Sequence, residues 1–101
     1  MTRYLSATVV EEDMPMSLAE LARACRTAEE QVHVWVVEGV LQPIGGSPGD
    51  WRFGGPSLRR ARLAMTLSRE LELNAPGVAL ALDLLDRVEL LEAALRRQPP
   101  S

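Results

Sequence analysis

The stretch that most constrains this chain is Thr27–Pro43, TAEEQVHVWVVEGVLQP. Val32, Trp35, Val36 and Val40 fall on an i, i+3, i+4, i+8 face, so the segment reads as a helix packed along one side. Thr27 is the expected N-cap, with Glu30 at the third position and Glu29 beside the positive end of the helix dipole. Glu38-Gly39 closes the helix ahead of Pro43. Val34 and Val37 lie off the packed face. A helix holding Val32, Val34, Val36 and Val37 pays in side-chain freedom. It needs packing on both sides, against the N-terminal arm, the wing or a partner. It also carries Glu29, Glu30 and Glu38 but no Arg or Lys.

The elements around it follow from local signals. Residues 1–13 have β character in Tyr4-Leu5 and Thr8-Val9-Val10, ended by Glu11-Glu12-Asp13, and read as a short strand or arm. Ser17 and Glu20 form a capping box for a short helix over Ser17–Cys25, with Leu18, Leu21, Ala22 and Cys25 on its buried face. Gln42–Gly55 holds five Gly and two Pro in fourteen residues. That density of turn formers around Ile44 and Trp51-Arg52-Phe53 suits a β-hairpin wing. Alternation sends Trp51 and Phe53 to the core and Arg52 outward. Pro56-Ser57-Leu58 begins a third helix running to about Leu71, with Leu63, Leu67 and Leu71 stacked at i, i+4 and Ala61 and Met65 alongside.

Asn74 is a candidate cap, and Pro76 is tolerated in the first turn of a last helix over about Ala75–Arg97. There Ala81, Leu84, Val88, Leu91 and Leu95 step by 3, 4, 3, 4, a heptad-like seam. About twenty residues at 1.5 Å each span roughly 30 Å, more than so small a head covers. A homodimer built on this seam is the expected solution. The domain reading is a head over residues 1–73 and a C-terminal dimerisation helix over 74–101, forming one unit. The fold class is mainly α: a winged helix-turn-helix with a short β-hairpin wing and a long C-terminal helix.

Charge is unevenly placed. Residues 1–50 sum to −5, residues 51–70 to +4 and residues 71–101 to −2, and there is no Lys. The basic segment supplies Arg52, Arg59, Arg60 and Arg62. Two readings stay open for them: they grip phosphates, or they pair with the acidic half of the same molecule. Glycine-loop nucleotide binding fails for want of a G-x-G-x-x-G or a Gly-Lys-Ser/Thr.

Catalysis needs a converging nucleophile, base or metal set. With one His (His33), one Cys (Cys25), one Tyr and no Lys, the chain reads as a binding protein, not an enzyme, with no cofactor and no metal. Cys25 reads as a small buried thiol. The N-terminus lacks the basic-then-apolar run of a signal peptide and no stretch reaches the roughly 18 apolar residues of a membrane span, so a cytoplasmic chain is expected.

The order of capped helix, second helix ending Glu38-Gly39-Val40-Leu41-Gln42-Pro43, aromatic-Arg-aromatic wing and two further helices resembles the MerR-type winged helix-turn-helix. Leu18-Ala19-Glu20-Leu21, Leu58-Arg59-Arg60 and above all Leu71–Leu85, LELNAPGVALALDLL, make it more similar to the CbpM chaperone-modulator family, over about Tyr4 to Arg97. That resemblance implies a small dimeric inhibitor that binds the J-domain of a CbpA-type, DnaJ-like co-chaperone, blocks its contact with DnaK and opposes its DNA binding. It implies nucleoid association only through that partner. The alternative is a MerR-like DNA-binding regulator using Arg52, Arg59, Arg60 and Arg62.

MerR-type regulators typically carry Arg-aromatic-aromatic-Glu before the Gly-Leu of the second helix. Aligned on Gly39-Val40, this chain has His33-Val34-Trp35-Val36, which argues against DNA reading. An acidic recognition helix is repelled by polyphosphate. J-domains present a positively charged helix, which an acidic surface complements. The expected partner-binding residues are therefore Glu11, Glu12, Asp13, Glu29, Glu30 and Glu38, with Asp83, Asp86 and Glu89 of the last helix.

Overall fold

A computed structural model describes residues 15–99, so the expected arm, with Glu11, Glu12 and Asp13, lies outside the described residues. Ser17 caps the first helix as predicted. Its Oγ accepts from the Glu20 N–H at 3.1 Å and its own N–H donates to Glu20 Oε1 at 2.8 Å. These bonds hold the Glu20 carboxyl below its ordinary value. Helix α1, Leu18–Ala24, buries Leu21 and Ala22.

Two backward bonds close α1. The Arg26 N–H donates to the Arg23 carbonyl at 3.1 Å and the Thr27 N–H to the Ala22 carbonyl at 3.0 Å, with Arg26 at φ 55°. This is the Schellman arrangement, and it moves the start of the next helix. Helix α2, Glu29–Val37, has Ala28 at its N-cap with no side-chain bond, so Thr27 does not cap it as expected. Thr27 belongs instead to the reversal that ends α1. Glu29 and Glu30 are left to complement the exposed N–H groups of α2 through charge.

The packed face of α2 is as the spacing requires: Val32 and Trp35 are fully buried, as is Val40 beyond its end. The second packed face is not found among the described residues. Val34 is 39% exposed and Val37 69%. Helix α2 ends on a second Schellman reversal, with the Gly39 N–H on the Val36 carbonyl at 3.1 Å and the Val40 N–H on the Trp35 carbonyl at 2.8 Å. Gly39 takes φ 81°, a conformation that costs any other L-residue.

The loop after α2 carries less β structure than a hairpin wing. Ile44 and Arg52 exchange two backbone bonds of 2.9 and 2.8 Å, and Met16 and Phe53 two more of 2.7 and 2.8 Å. Both are isolated antiparallel bridges. The Ile44–Arg52 pairing does not extend toward the loop tip, because a 3₁₀ turn, Pro48–Asp50, takes up the residues before Trp51. Gly45 is forced by close approach: a Cβ there would lie 2.6 Å from the Asp50 carbonyl oxygen. Within this loop the alternation holds. Trp51 and Phe53 are buried and Arg52 is exposed, the two rings meeting edge to face at 6.2 Å.

Helix α3, Gly55–Glu70, faces the core with Leu58, Ala61 and Ala64. Of the Leu63, Leu67 and Leu71 row Leu67 packs against the core, while Leu63 and Leu71 are 40% and 63% exposed. Alanines at the contact let a helix backbone approach a core already filled by Trp35, Trp51 and Phe53. Asn74 caps α4, Ala75–Arg97, through Oδ1 on the Gly77 N–H at 2.8 Å. Val78 and Leu82 reach the common core. After Leu82 no described residue is buried.

The reversal at Gly39 should therefore be sensitive to a single methyl group. There is nothing within 4 Å of a Cβ built on Gly39, so G39A pays only for its backbone, about 1–2 kcal/mol. Urea unfolding of G39A beside Gly46→Ala, whose added methyl also meets open space, should show a lowered midpoint for G39A alone.

Candidate functional site

Three groups of side chains were candidates for recognition, and the fold separates them. Glu29, Glu30 and Glu38 are exposed on α2. At 3.6 residues per turn, Glu30, His33, Val34 and Val37 share the side of α2 opposite Val32 and Trp35, with Glu29 and Glu38 on its two opposite flanks. Leu18, Glu29, Glu30, His33 and Val34 line a shallow concavity of about 320 Å³. His33 lies against Trp51, ring centroids 5.4 Å apart and tilted by 33°, so the imidazole joins the helix surface to the wing loop. Val34 and Val37, which their spacing places off the packed face, are exposed on this side.

The arginines behave differently. Arg60 donates through Nε to the Val40 carbonyl at 2.6 Å and through NH1 to Asp86 Oδ1 at 3.0 Å. Arg60, expected to face phosphate, and Asp86, expected to face a basic partner, are thus bonded to each other. Arg59, Arg60 and Arg62 line a groove of about 890 Å³ whose α4 wall carries Asp86, Glu89 and Glu92, with Leu63, Leu82, Leu85 and Val88 between. Arg52 does not join them. Its NH1 donates to the Trp51 carbonyl at 2.8 Å. The four arginines do not form one basic surface, and three of them sit opposite carboxylates.

The remaining α4 candidates are exposed. Asp83 pairs with Arg87 at 3.3 Å, one turn along the same helix. Of the heptad seam, Leu84, Val88, Leu91 and Leu95 are 52%, 47%, 66% and 67% exposed, and Ala81 is half-buried. Cys25 is buried, and burial pushes its thiol above the ordinary value despite the opposing charges of Arg62 and Arg69. The thiolate needed for nucleophilic or redox chemistry is disfavoured there. Among the described residues no group of His, Cys, Asp and Glu is placed to hold a metal ion, and no helix is long and apolar enough to cross a membrane.

Residues 16–98 match the MerR helix-turn-helix regulatory protein family. The helical head and this match define a MerR-type regulatory helix-turn-helix protein. Over 94 residues the chain is 38% identical to the chaperone modulatory protein CbpM of Coxiella burnetii, covering 93% of this chain and 89% of that protein. It is 39% identical to the CbpM of Pseudomonas putida over 88 residues, covering 87% and 83%. With the CbpM of Pseudomonas entomophila it shares 35% over 78 residues, covering 73% and 76%. The chain belongs to the CbpM chaperone-modulator family.

Arg60 separates a structural arginine from a phosphate-binding one. Arg60→Met leaves the carbonyl of the buried Val40 without its guanidinium donor and should cost about 1–3 kcal/mol. Asp86→Asn, on the exposed side of the pair, should cost less than about 1 kcal/mol. Urea denaturation of the two variants checks the order.

Proposed function

We propose that this chain inhibits a DnaJ-like co-chaperone of the CbpA type by binding its J-domain and blocking its contact with DnaK. The observation that carries this reading is the solvent side of α2. Where a helix-turn-helix protein would offer basic side chains to a phosphate backbone, this one offers Glu29, Glu30 and Glu38. Each carboxylate turned toward DNA is repelled and forfeits counterion release. The same carboxylates favour a positively charged protein helix. The expected acidic contacts beyond α2 are Glu11, Glu12 and Asp13 of the first residues, with Asp83 and Asp86 on α4.

The reading includes a homodimer formed along Ala81, Leu84, Val88, Leu91 and Leu95, whose exposure leaves a continuous apolar strip at coiled-coil spacing. It makes the chain a non-enzymatic binding protein of the cytoplasm, nucleoid-associated only through its partner. DNA reading by Arg52, Arg59, Arg60 and Arg62 is the poorer account, because Arg60 already serves Val40 and Asp86.

A pull-down with the J-domain of a CbpA-type co-chaperone, run beside a gel shift with duplex DNA at low salt, tests the partner. Retention of the J-domain with no DNA shift is expected. A salt-sensitive shift without J-domain retention sinks the proposal.

Sedimentation at tens of micromolar tests the assembly. The wild-type chain should sediment as a dimer and Leu91→Glu as a monomer, since a charge in the seam leaves an unpaired buried group. A monomeric wild type would remove the dimer.

A further inference from the structure

We infer that the solvent side of α2 is an apolar docking surface, and that its occupant is a helix presenting an apolar stripe beside basic residues. This rests on the proposal that the partner is a protein, and it assigns the contact to one of several acidic regions. Glu30, Val34 and Val37 follow one another along the side opposite the buried Val32 and Trp35, and Glu38 flanks Val34 one turn on. The two valines are 39% and 69% exposed. Their β-branched side chains lower helix propensity, and the described residues leave both of them exposed. Beside them Leu18 and Val34 line the concavity at the start of α2, shaped to take an apolar side chain.

The charges fix the sign of the occupant. Glu29 and Glu30 favour the N-terminus of α2 through the dipole, but Glu38 stands at the opposite end, where the exposed carbonyls disfavour a negative charge. No basic residue stands in the last turn to offset it. Helix stability therefore accounts for two of the three carboxylates. The third completes an acidic border around two valines. That border matches a helix bearing Lys or Arg on either side of an apolar stripe. The groove between α3 and α4 offers no such match, because its carboxylates already face arginines of the same molecule.

The test measures affinity for the purified J-domain by calorimetry, using the full chain. Val34→Ser with Val37→Ser should weaken binding at least about tenfold, as truncation at the centre of an interface does. Glu29→Arg with Glu30→Arg should weaken it by a similar factor, while Glu70→Arg, exposed on α3, stays within about twofold of wild type. The valines are exposed, so their serine variants should fold, and circular dichroism checks this.

Unchanged affinity for the serine pair overturns the inference while leaving the proposed function standing. Weakening by charge reversal alone overturns it too, since long-range steering would then suffice. A wild-type chain that fails to bind the J-domain removes both readings.

Discussion

Gly39 turns the chain sharply enough for the Val40 N–H to reach back to the Trp35 carbonyl at 2.8 Å, with the Leu41 N–H on the same oxygen at 3.3 Å. The turn drops Val40 and Leu41 into the core beside Trp35 and aims the Val40 carbonyl at α3, where Arg60 donates to it. The other arm of that guanidinium reaches Asp86 on α4. One backbone conformation thus joins the end of α2 to both later helices. A side chain at position 39 would strain this junction without touching anything, which is why its glycine is a matter of conformation and not of space.

That junction also decides the electrostatics. In a DNA-reading helix-turn-helix the arginines after the wing are available to phosphate. Here the central one stabilises a buried carbonyl and an α4 carboxylate. The nearby groove is lined by both signs, and opposed charges cancel within a few ångströms. What remains unbalanced is α2, with three exposed carboxylates and no cation of its own. The helix-turn-helix framework is kept, and its reading surface carries the charge that DNA repels.

Signals that act within one turn of chain were legible in advance. Ser17 with Glu20, Asn74, Gly39 and the Trp51/Phe53 alternation each depend on neighbours two to four residues away, and each stands as expected. The departures come from longer range. Thr27 has the side chain of a cap, but it completes the reversal that ends α1 and so falls one residue ahead of the Ala28 N-cap. Leu63, Leu67 and Leu71 have the spacing of a packed row, yet of these Leu67 alone packs against the core, beside Leu58, Ala61 and Ala64. Periodicity alone does not say which of two apolar stripes faces inward. The candidate site shows the same limit. The sequence yields the acids, but only the fold pairs Asp86 with Arg60 and leaves Val34 and Val37 bare.

Two apolar surfaces then remain, and they differ in kind. The seam on α4 is leucine-rich and follows a coiled-coil step, so a helix of the same pattern satisfies it, and a second copy of this chain supplies one. The α2 surface is short and bordered by carboxylates, so a second copy would bring like charge against like. They share no residue, and both can be filled at once. A pair of chains joined along α4 would carry two α2 surfaces on one rigid body. Engagement of two partner domains that are themselves held together would then be favoured by effective concentration rather than by new contacts. Self-association and partner recognition are in this sense separate choices, made by apolar spacing on one helix and by the sign of charge on another.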